Sequence, residues 1–337
     1  MDMFRETPDR IVELANTFRK ARVLLSAVEL GVFAALRDGP LDRESLRQRV
    51  GIHDRGARDF FDALVALDLM GRDAAGNYMN NPSSELFLVP GRPSYIGGLL
   101  NYLGAREYAS WSGLTAALRT GRAQFGNGTA GPYCDLYAAP AAMEEFAAAM
   151  TGGTLLAARA LAQKFPWDSY RTFVDVGAAE GCLPVEVARA HPHLEGGGFD
   201  LPALADRFDS YVRRHHLSNR LRFYPGDFMR HALPTADVLV MGRVLHNWDV
   251  PTRQMLLHKA YSALPTNGVL IVYERLIDDD RRASATGLLG SLNMLIMTAG
   301  GSDYSAEECG QWMRGVGFRD MRVEVLTTDQ TALIAIK

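Results

Sequence analysis

Cysteine is scarce in this sequence of 337 residues, which contains only Cys134, Cys182 and Cys309. These three are far apart and form no Cys-x-x-Cys pair, which argues against both a disulfide framework and a thiolate metal site. The N-terminal MDMFRETPDR is charged and lacks the apolar core of a signal peptide. We therefore expect a protein of the reducing cytoplasm.

A charge excess of one sign and long apolar runs are also missing. The 36 Lys and Arg residues against 39 Asp and Glu leave a net charge of −3, so no large excess of positive charge is available to hold a nucleic acid. The longest apolar stretch, near residues 286–299, is broken by Ser291 and Asn293, so no membrane partner is expected. With 47% hydrophobic and 22% charged residues, the composition is that of an ordinary globular protein.

The first hundred residues have the pattern of a small helical module. Apolar residues recur at helical spacing over residues 11–37, with a break at Gly31, and two further amphipathic helices are predicted over residues 42–51 and 54–69. The segment GRDAAGNYMNNP then predicts a short hairpin, which completes a winged-helix pattern.

A winged helix raises a DNA-binding regulator as an alternative. The would-be recognition helix carries Arg55 and Arg58, but it also carries four acids that would repel phosphates, namely Asp54, Asp59, Asp62 and Asp68. The charges therefore favour packing against a partner subunit over DNA binding.

The second half of the chain changes from helical to alternating structure. Residues 100–165 are helical in pattern, with a Gly-rich break, GNGTAGP, at 126–132 that is typical of a hinge. From residue 172, β-rich runs alternate with turns or amphipathic helices: TFVDVG, EGGGFDL, LRFYPGD, ADVLVMG and GVLIVYE. This alternation predicts a parallel α/β sheet covered on both faces, followed by two strands at 319–326 and 331–336.

The first of these strands runs into VDVGAAEG, a glycine-rich turn before a helix. The turn has the spacing D-x-G-x-[GA]-x-G, at positions Asp175, Gly177, Ala179 and Gly181. Its small residues let a ligand approach the backbone closely at the carboxyl edge of the sheet. Ala179 and Cys182 stand where a nicotinamide-type loop has its second and third glycines, which disfavours a dehydrogenase. A tight turn without a ligand is the structural alternative.

Acids follow the next two strands. Asp200 ends the second strand in GGGFDLP, where a carboxylate can accept both hydroxyls of a ribose. Asp227 follows the third strand beside Phe228, and a carboxylate next to an aromatic ring suits the amino group and the ring face of adenine. Together with the glycine turn, these residues predict a nucleoside site.

The fourth strand ends in MGRVLHNWD and the fifth in IVYERL. His246 therefore lies at the sheet edge where the nucleoside site is predicted, and it can reach a bound ligand as a base. Glu274 ends the neighbouring strand, where an acid can fix the imidazole tautomer.

No metal site is expected from the sequence. The close histidine pairs are His191 with His193 and His215 with His216. Neither pair has an acid or a cysteine nearby at ligand spacing.

The segments VDVGAAEG, GFDLP, GDF, LHNWD and VYE, in this order and spacing, resemble the motifs of the S-adenosylmethionine (SAM)-dependent small-molecule O-methyltransferases of plant caffeate type and their bacterial relatives in antibiotic and pigment biosynthesis. The resemblance implies a doubly wound, Rossmann-like class I methyltransferase domain at residues 166–337. It also implies a winged-helix dimerisation domain at residues 1–100 and a helical linker at 101–165 that contributes to the substrate pocket. The implied partners are SAM, a small aromatic acceptor and a second copy of the chain.

The resemblance also assigns roles to individual residues. The implied cofactor contacts are Gly177, Asp200, Leu201, Asp227, Phe228, Gly242 and Arg243. His246 matches the general base, and Glu274 matches one of two acids that flank it. The second acid lies in the family's GGKERT-like segment, which reads GGSDYS here, so Asp303 replaces the usual Glu and Tyr304 the Arg. Asn247 replaces a common Asp.

The segments that line the acceptor pocket in similar proteins contain Trp111, Phe146, Met150, Asn293, Met294 and Met297. Aromatic and thioether surfaces suit a flat ring, with ordinary core packing as the alternative for each. The expected reaction is methylation of a phenolic hydroxyl. A phenolate is nucleophilic at its ortho carbon as well, so C-methylation of an aromatic or 2-oxo acid acceptor stays open, as does a nucleoside-sensing winged-helix regulator.

Overall fold

The computed structural model describes residues 7–125 and 140–337, and the chain divides into two compact units after Tyr108. The predicted Gly-rich hinge at 126–132 and Cys134 lie outside the described residues. The separate helical linker expected from the sequence stays a prediction. No helix in the described part of the chain combines the length and the apolarity needed to span a bilayer.

The N-terminal unit is helical with one hairpin, as its periodicity predicts. Gly31 separates the first two helices with a φ of 70°, a left-handed conformation that costs glycine little. Asp42 begins the third helix by accepting hydrogen bonds from the backbone N–H groups of Glu44 and Ser45. The elements are α1 (Asp9–Glu29), α2 (Val32–Ala35), α3 (Arg43–Val50), α4 (Asp54–Ala66), β1 (Met70–Arg72), β2 (Tyr78–Asn80), α5 (Pro82–Phe87) and α6 (Gly97–Tyr102), the last followed by a π-helical turn at Leu103–Glu107.

The would-be recognition helix α4 engages its charges locally. Asp62 Oδ1 accepts a hydrogen bond from the Tyr78 hydroxyl at 2.8 Å and from Arg72 Nη1 at 3.2 Å. Arg58 Nε lies 3.8 Å from Asp62 Oδ2. These contacts hold α4 against the hairpin, and its buried face joins the core of this unit, which includes Ala27, Val32, Phe33, Leu46, Phe61, Leu64 and Tyr78.

The C-terminal unit is built around a seven-stranded sheet. Its strands are β3 (Thr172–Val176), β4 (Glu195–Asp200), β5 (Leu221–Pro225), β6 (Val238–Gly242), β7 (Val269–Glu274), β8 (Arg319–Val325) and β9 (Thr331–Ile336). Its helices are α7 (Tyr108–Ser110), which begins at the unit boundary, α8 (Leu114–Thr120), α9 (Pro140–Lys164), α10 (Cys182–Ala190), α11 (Ala205–Arg214), α12 (Val250–Ala263), α13 (Ala285–Met297) and α14 (Ala306–Val316).

The strand order is β5-β4-β3-β6-β7-β9-β8, which confirms the doubly wound α/β fold. The five strands from β5 to β7 run parallel, whereas β9 pairs antiparallel with β7 and β8 antiparallel with β9. The chain passes from β3 outward to β4 and β5 and then returns to place β6 on the other side of β3. A crevice therefore opens at the carboxyl ends of β3 and β6, where ligands of such sheets bind.

Both faces of the central strands β6 and β7 are buried, which explains why these two strands are almost entirely apolar. In β6, Val238 and Val240 face the layer formed by α9, α10 and α11, whereas Leu239 and Met241 face α12 and α14. All four side chains are fully buried. Each contributes roughly 1.5 to 3 kcal/mol of hydrophobic free energy, so the two layers fix the sheet that carries the strand-end residues.

Candidate active site

The carboxyl ends of β3, β4, β5 and β6 border one cavity of about 280 Å³. All seven residues that the resemblance assigns to the cofactor line it: Gly177, Asp200, Leu201, Asp227, Phe228, Gly242 and Arg243. Phe146 and Met150, from the predicted acceptor set, line it as well. The structure therefore brings together positions nearly one hundred residues apart in the sequence.

The glycine turn after β3 forms one wall and requires small residues. Gly177 has a φ of +84°, and a Cβ there would lie 2.7 Å from Val244 Cγ2. Gly181 has a φ of +96°, and its Cβ would lie 2.7 Å from the Phe208 ring. Any side chain at either position would be strained in backbone and would collide with its neighbour. The spacing of the motif is thus a packing requirement of this cavity.

Asp200, at the end of β4, presents a buried carboxylate to the cavity. Its Oδ2 accepts from the Ala179 N–H at 2.8 Å, and its Oδ1 accepts from the Leu201 N–H at 2.7 Å. Burial raises the pKa of Asp200 to about 6, against the effect of these two bonds. Asp175 also lines the cavity, and burial together with the Asp200 charge raises its pKa to about 8. At pH 7 these values leave Asp200 ionised, with oxygen lone pairs left for further donors.

The wall after β5 combines a carboxylate with aromatic rings. Asp227 Oδ1 accepts from the Met229 N–H at 2.8 Å, which fixes the turn. The Phe228 ring meets the Trp248 ring edge to face, with centroids 5.8 Å apart and planes at 89°. Lys259 Nζ donates to the Phe228 carbonyl at 2.5 Å. Lys259 and Trp248 therefore hold the turn in place. The turn presents a carboxylate that can accept hydrogen bonds and an aromatic ring with flat apolar faces.

The turn after β6 closes the cavity with an unusual backbone. Arg243 has a φ of 56°, a left-handed conformation uncommon for a residue with a side chain, and its N–H donates to the Tyr273 carbonyl at 3.0 Å. A Cβ on Gly242 would lie 2.0 Å from Tyr273 Cζ, so the ring occupies the place of a side chain. The sheet and Tyr273 thus hold a strained residue at the cavity.

Helix α9 contributes lining residues that the sequence did not indicate. Thr151 and Thr154 line the cavity beside Met150, and Thr151 Oγ1 donates to Glu180 Oε1 at 2.5 Å. Glu180 belongs to the glycine turn, so this bond joins α9 to that turn. No sequence signal could have found these threonines, because their position depends on how α9 packs against α10.

His246 lies on a 3₁₀ turn, Leu245–Asn247, beyond β6 and is buried with two acids. Its Nδ1 lies 2.9 Å from Asp303 Oδ1 and 3.5 Å from Glu274 Oε2. Glu274 Oε1 accepts from the His246 backbone N–H at 3.3 Å and from the Tyr304 hydroxyl at 3.4 Å. Burial raises the pKa of Glu274, partly offset by the nearby imidazole. The structure therefore brings together all three residues predicted to be catalytic.

One imidazole nitrogen cannot serve both acids equally. Nδ1 carries at most one hydrogen, and the shorter distance assigns it to Asp303, which leaves Glu274 Oε2 buried without a hydrogen bond. A charged imidazolium would attract that oxygen. One side-chain nitrogen or oxygen atom from each of His246, Glu274 and Asp303 lies within 4.8 Å of the other two. His246 does not line the cavity itself, but Val244 and Asn247 on either side of it do.

Arg253 joins the His246 turn to the Asp303 segment, a role that the sequence analysis did not predict. Its guanidinium is fully buried and donates to the carbonyls of Leu245 at 3.0 Å, Trp248 at 2.8 Å and Ser302 at 2.5 Å. The guanidinium carbon lies 4.8 Å from the centroid of the Tyr304 ring. Arg253 therefore fixes the relative position of the two segments that carry His246 and Asp303.

The other predicted acceptor residues do not line the cavity. Trp111 Nε1 donates to Asn293 Oδ1 at 2.9 Å, so these two meet each other. Met297 is buried in a small cluster with Ala117 and Ile296. Met294 accepts a hydrogen bond from Thr298 Oγ1 through its carbonyl at 2.7 Å. For these residues an acceptor-binding role stays a prediction.

Comparisons with known proteins show the family to which this chain belongs. Residues 111–319 match the O-methyltransferase domain, and residues 12–90 match the O-methyltransferase dimerisation domain. The chain is 39% identical over 330 residues to the tetracenomycin polyketide synthesis 8-O-methyl transferase TcmO of Streptomyces glaucescens, covering 98% of this chain and 97% of the relative. It is 38% identical over 316 residues to the N,N-dimethyltransferase OxyT of Streptomyces rimosus, covering 93% and 91%.

The fold is similar to that of human N-acetylserotonin methyltransferase in complex with SAM. The TM-score is 0.91 at 28% identity, and the match covers 100% of this chain and 99% of that one. Sequence motifs, family models and fold agree, and the resemblance read from the motifs is confirmed. The chain belongs to the O-methyltransferase family and is a SAM-dependent enzyme with an O-methyltransferase dimerisation domain.

Proposed function

We propose that this enzyme methylates a phenolic hydroxyl of a small aromatic acceptor in natural-product biosynthesis, with His246 as general base. The observation that carries the proposal is the buried contact of 2.9 Å between His246 Nδ1 and Asp303, in the turn that also lines the cavity. TcmO and a 30% identical relative from Streptomyces sahachiroi, a 3-hydroxy-5-methyl-1-naphthoate 3-O-methyltransferase, are both O-methyltransferases. Their names support oxygen as the acceptor atom.

The residues at the cavity fit SAM. Gly177 lines the cavity without a side chain, so a ligand can lie against its backbone. We assign the ionised Asp200 to the two ribose hydroxyls, and Asp227 with the Phe228 ring to adenine. Leu201, Gly242 and Arg243 complete the set of assigned cofactor contacts, and all of them line the cavity.

When bound, SAM supplies a methyl group on a positively charged sulfur, which a nucleophile can take in line. Asp303 holds the Nδ1 proton of His246, which leaves Nε2 with the lone pair that accepts the phenolic proton. Glu274 Oε2, 3.5 Å from Nδ1, stabilises the imidazolium that forms. Two carboxylates thus prepare one imidazole to act as a base.

The base assists during the transfer instead of ionising the phenol beforehand. A free phenol titrates near 10 and a free imidazole near 6.5, so complete proton transfer before attack costs roughly 5 kcal/mol. General-base assistance is typically worth roughly 10² to 10⁴ in rate.

The test is the His246→Gln variant with methyl-labelled SAM and a panel of phenols. We expect kcat to fall roughly 10²- to 10⁴-fold while the affinity for S-adenosylhomocysteine stays within about threefold. His258→Gln, which changes an exposed histidine on α12, is the matched control and should keep full activity. Full activity of His246→Gln at neutral pH would remove His246 from the mechanism.

Nitrogen is the second candidate acceptor, because OxyT is an N,N-dimethyltransferase and is 38% identical to this chain. Aromatic amines therefore belong in the same panel, and the position of the label distinguishes the reactions. Label on oxygen supports the proposal, label on nitrogen supports the second candidate, and label on a ring carbon indicates C-methylation.

We further propose that the enzyme is a homodimer formed through its N-terminal unit. The match to a dimerisation domain over residues 12–90 supports this, as does the exposed apolar face of α1. That face carries Ile11, Val12, Leu14 and Phe18, with exposed fractions of 73%, 53%, 72% and 54%. An apolar surface of this kind is typical of a protein interface.

A further inference from the structure

Two histidines and an aspartate meet at the amino ends of β3 and β4, at the opposite edge of the sheet from the cavity. Asp168 lies on the 3₁₀ turn Trp167–Ser169 that precedes β3. His191 ends α10, and His193 lies in the turn that leads into β4. We refer to these three residues as the Asp168 cluster.

The Asp168 cluster has the geometry of a cation site. One ligand-type atom from each of the three residues lies within 4.8 Å of the other two. His191 Nδ1 is 3.8 Å from Asp168 Oδ1. Two ligand atoms around a tetrahedral zinc ion are about 3.4 Å apart, so the His191–Asp168 pair is a few tenths of an ångström wider than that arrangement. The Asp168 side chain is 92% exposed and can rotate to close the gap.

A hydrogen bond to a backbone carbonyl orients each of the two imidazoles for metal binding. His191 Nε2 lies 2.7 Å from the Ala162 carbonyl, and His193 Nε2 lies 3.3 Å from the Trp167 carbonyl. A carbonyl only accepts, so each Nε2 carries the proton and each Nδ1 keeps its lone pair. Histidines that bind metals almost always have their other ring N–H held in this way.

The backbone that carries the histidines is also fixed. Arg220 Nη1 donates to the carbonyls of His191 at 3.2 Å and Leu194 at 3.3 Å, and its Nη2 donates to the Ala188 carbonyl at 2.7 Å. The loop between α10 and β4 is therefore held in one conformation. A site whose ligands are held in place loses less conformational entropy when an ion binds.

We propose that Asp168, His191 and His193 bind a divalent transition-metal ion of the zinc class, at a site separate from that of methyl transfer. Two imidazoles and one carboxylate suit zinc and its neighbours better than magnesium or calcium. Three protein ligands leave room for water, so the ion is exchangeable. It joins the turn before β3 to the turn before β4. The sequence shows no acid at ligand spacing from this histidine pair, because Asp168 precedes β3 in the chain and only the fold brings it near.

The test is titration of the full chain with Co²⁺, followed by visible absorption, and competition with Zn²⁺. We expect one ion per chain, and affinity reduced at least about tenfold in Asp168→Asn and in His193→Gln. Asp168 is exposed, so Asp168→Asn leaves folding intact and keeps the test valid if His193→Gln is unstable. Zn²⁺ should also raise the Tm of the unmodified chain more than that of Asp168→Asn.

Two control variants locate the ion. His216→Gln changes the other close histidine pair, and His246→Gln disrupts the buried group around Glu274 and Asp303; both should bind Co²⁺ as the unmodified chain does. The proposal is overturned if no ion binds below about 100 µM, if Asp168→Asn and His193→Gln bind normally, or if His246→Gln abolishes binding.

Discussion

The reach of Asp303 depends on the backbone that carries it. The Ser302 N–H donates to the His246 carbonyl at 2.9 Å, and a Cβ on Gly301 would lie 2.4 Å from that same carbonyl oxygen. The segment therefore lies directly against the His246 turn. This close approach explains how an acid one methylene shorter than the family's usual Glu still meets Nδ1 at 2.9 Å.

Asp303→Ala should lower kcat roughly 100-fold, because Nδ1 loses the partner that fixes its proton. Asp303→Asn keeps an acceptor oxygen and should lose less. Neither change should alter the affinity for S-adenosylhomocysteine, since Asp303 does not line the cavity. Steady-state kinetics together with calorimetric titration measure both quantities. If Glu274→Gln lost more activity than Asp303→Ala, Glu274 would be the acid that orients the imidazole.

Cofactor binding should depend on the protonation of Asp200. Its pKa is raised to about 6 by burial, and only the ionised form can accept both ribose hydroxyls. Affinity for S-adenosylhomocysteine should therefore fall as pH drops below about 6, approaching tenfold per pH unit, and level off above it. Calorimetry between pH 5 and 8 measures this. Asp200→Asn should bind weakly at every pH and lose this dependence; a variant that kept the same pH profile would show that another group titrates.

At the scale of helices and strands, the sequence predicts those features of the site that depend on the local pattern of strands. Parallel strands place their carboxyl ends at one edge, so Asp200 and Asp227 could be assigned to one site from the strand pattern alone. Thr151 and Arg253 could not be assigned in this way, because each acts through contacts with segments distant in sequence. The antiparallel direction of β9 followed from the short turn that joins it to β8, whereas its insertion between β7 and β8 depends on packing.

Arg253 shows how one side chain on α12 joins two loops. Arg253→Lys keeps the charge but loses the fork that reaches three carbonyls at once. We expect the free energy of unfolding to fall by at least about 2 kcal/mol, since buried carbonyls lose their donors. Under conditions where the variant is folded, kcat should fall while KM for SAM changes little. Urea denaturation and kinetics measure the two effects.

Ser302→Ala is the matched control for Arg253, because it removes only the bond of 2.9 Å between Arg253 Nη2 and Ser302 Oγ and leaves the carbonyl contact. It should cost about 1 kcal/mol or less. Equal loss of kcat in Ser302→Ala and Arg253→Lys would mean that the hydroxyl contact, and not the joining of the two loops, determines the position of His246 relative to Asp303.

At the scale of the whole molecule, one face of α1 is both apolar and exposed. The buried residues of α1, namely Leu25, Ala27 and Val28, all lie in its C-terminal half. The N-terminal half instead exposes large apolar side chains, with Ile11 and Leu14 at 73% and 72%. Single exposed apolar residues are ordinary on a protein surface, but a face of one helix with several of them is not. A second copy of the chain would cover this face.

The double variant Ile11→Asp, Leu14→Asp should therefore weaken the dimer without unfolding the protomer. Burial of one such side chain is worth roughly 1.5 to 3 kcal/mol, and two copies contribute two each, so the dissociation constant should rise more than about 100-fold. Sedimentation velocity over a range of concentrations measures this. Val323→Asp, at an exposed position on edge strand β8, is the control and should leave the dimer intact. A monomer at all concentrations for the unmodified chain, or an unchanged dimer in the double variant, would exclude α1 as the interface.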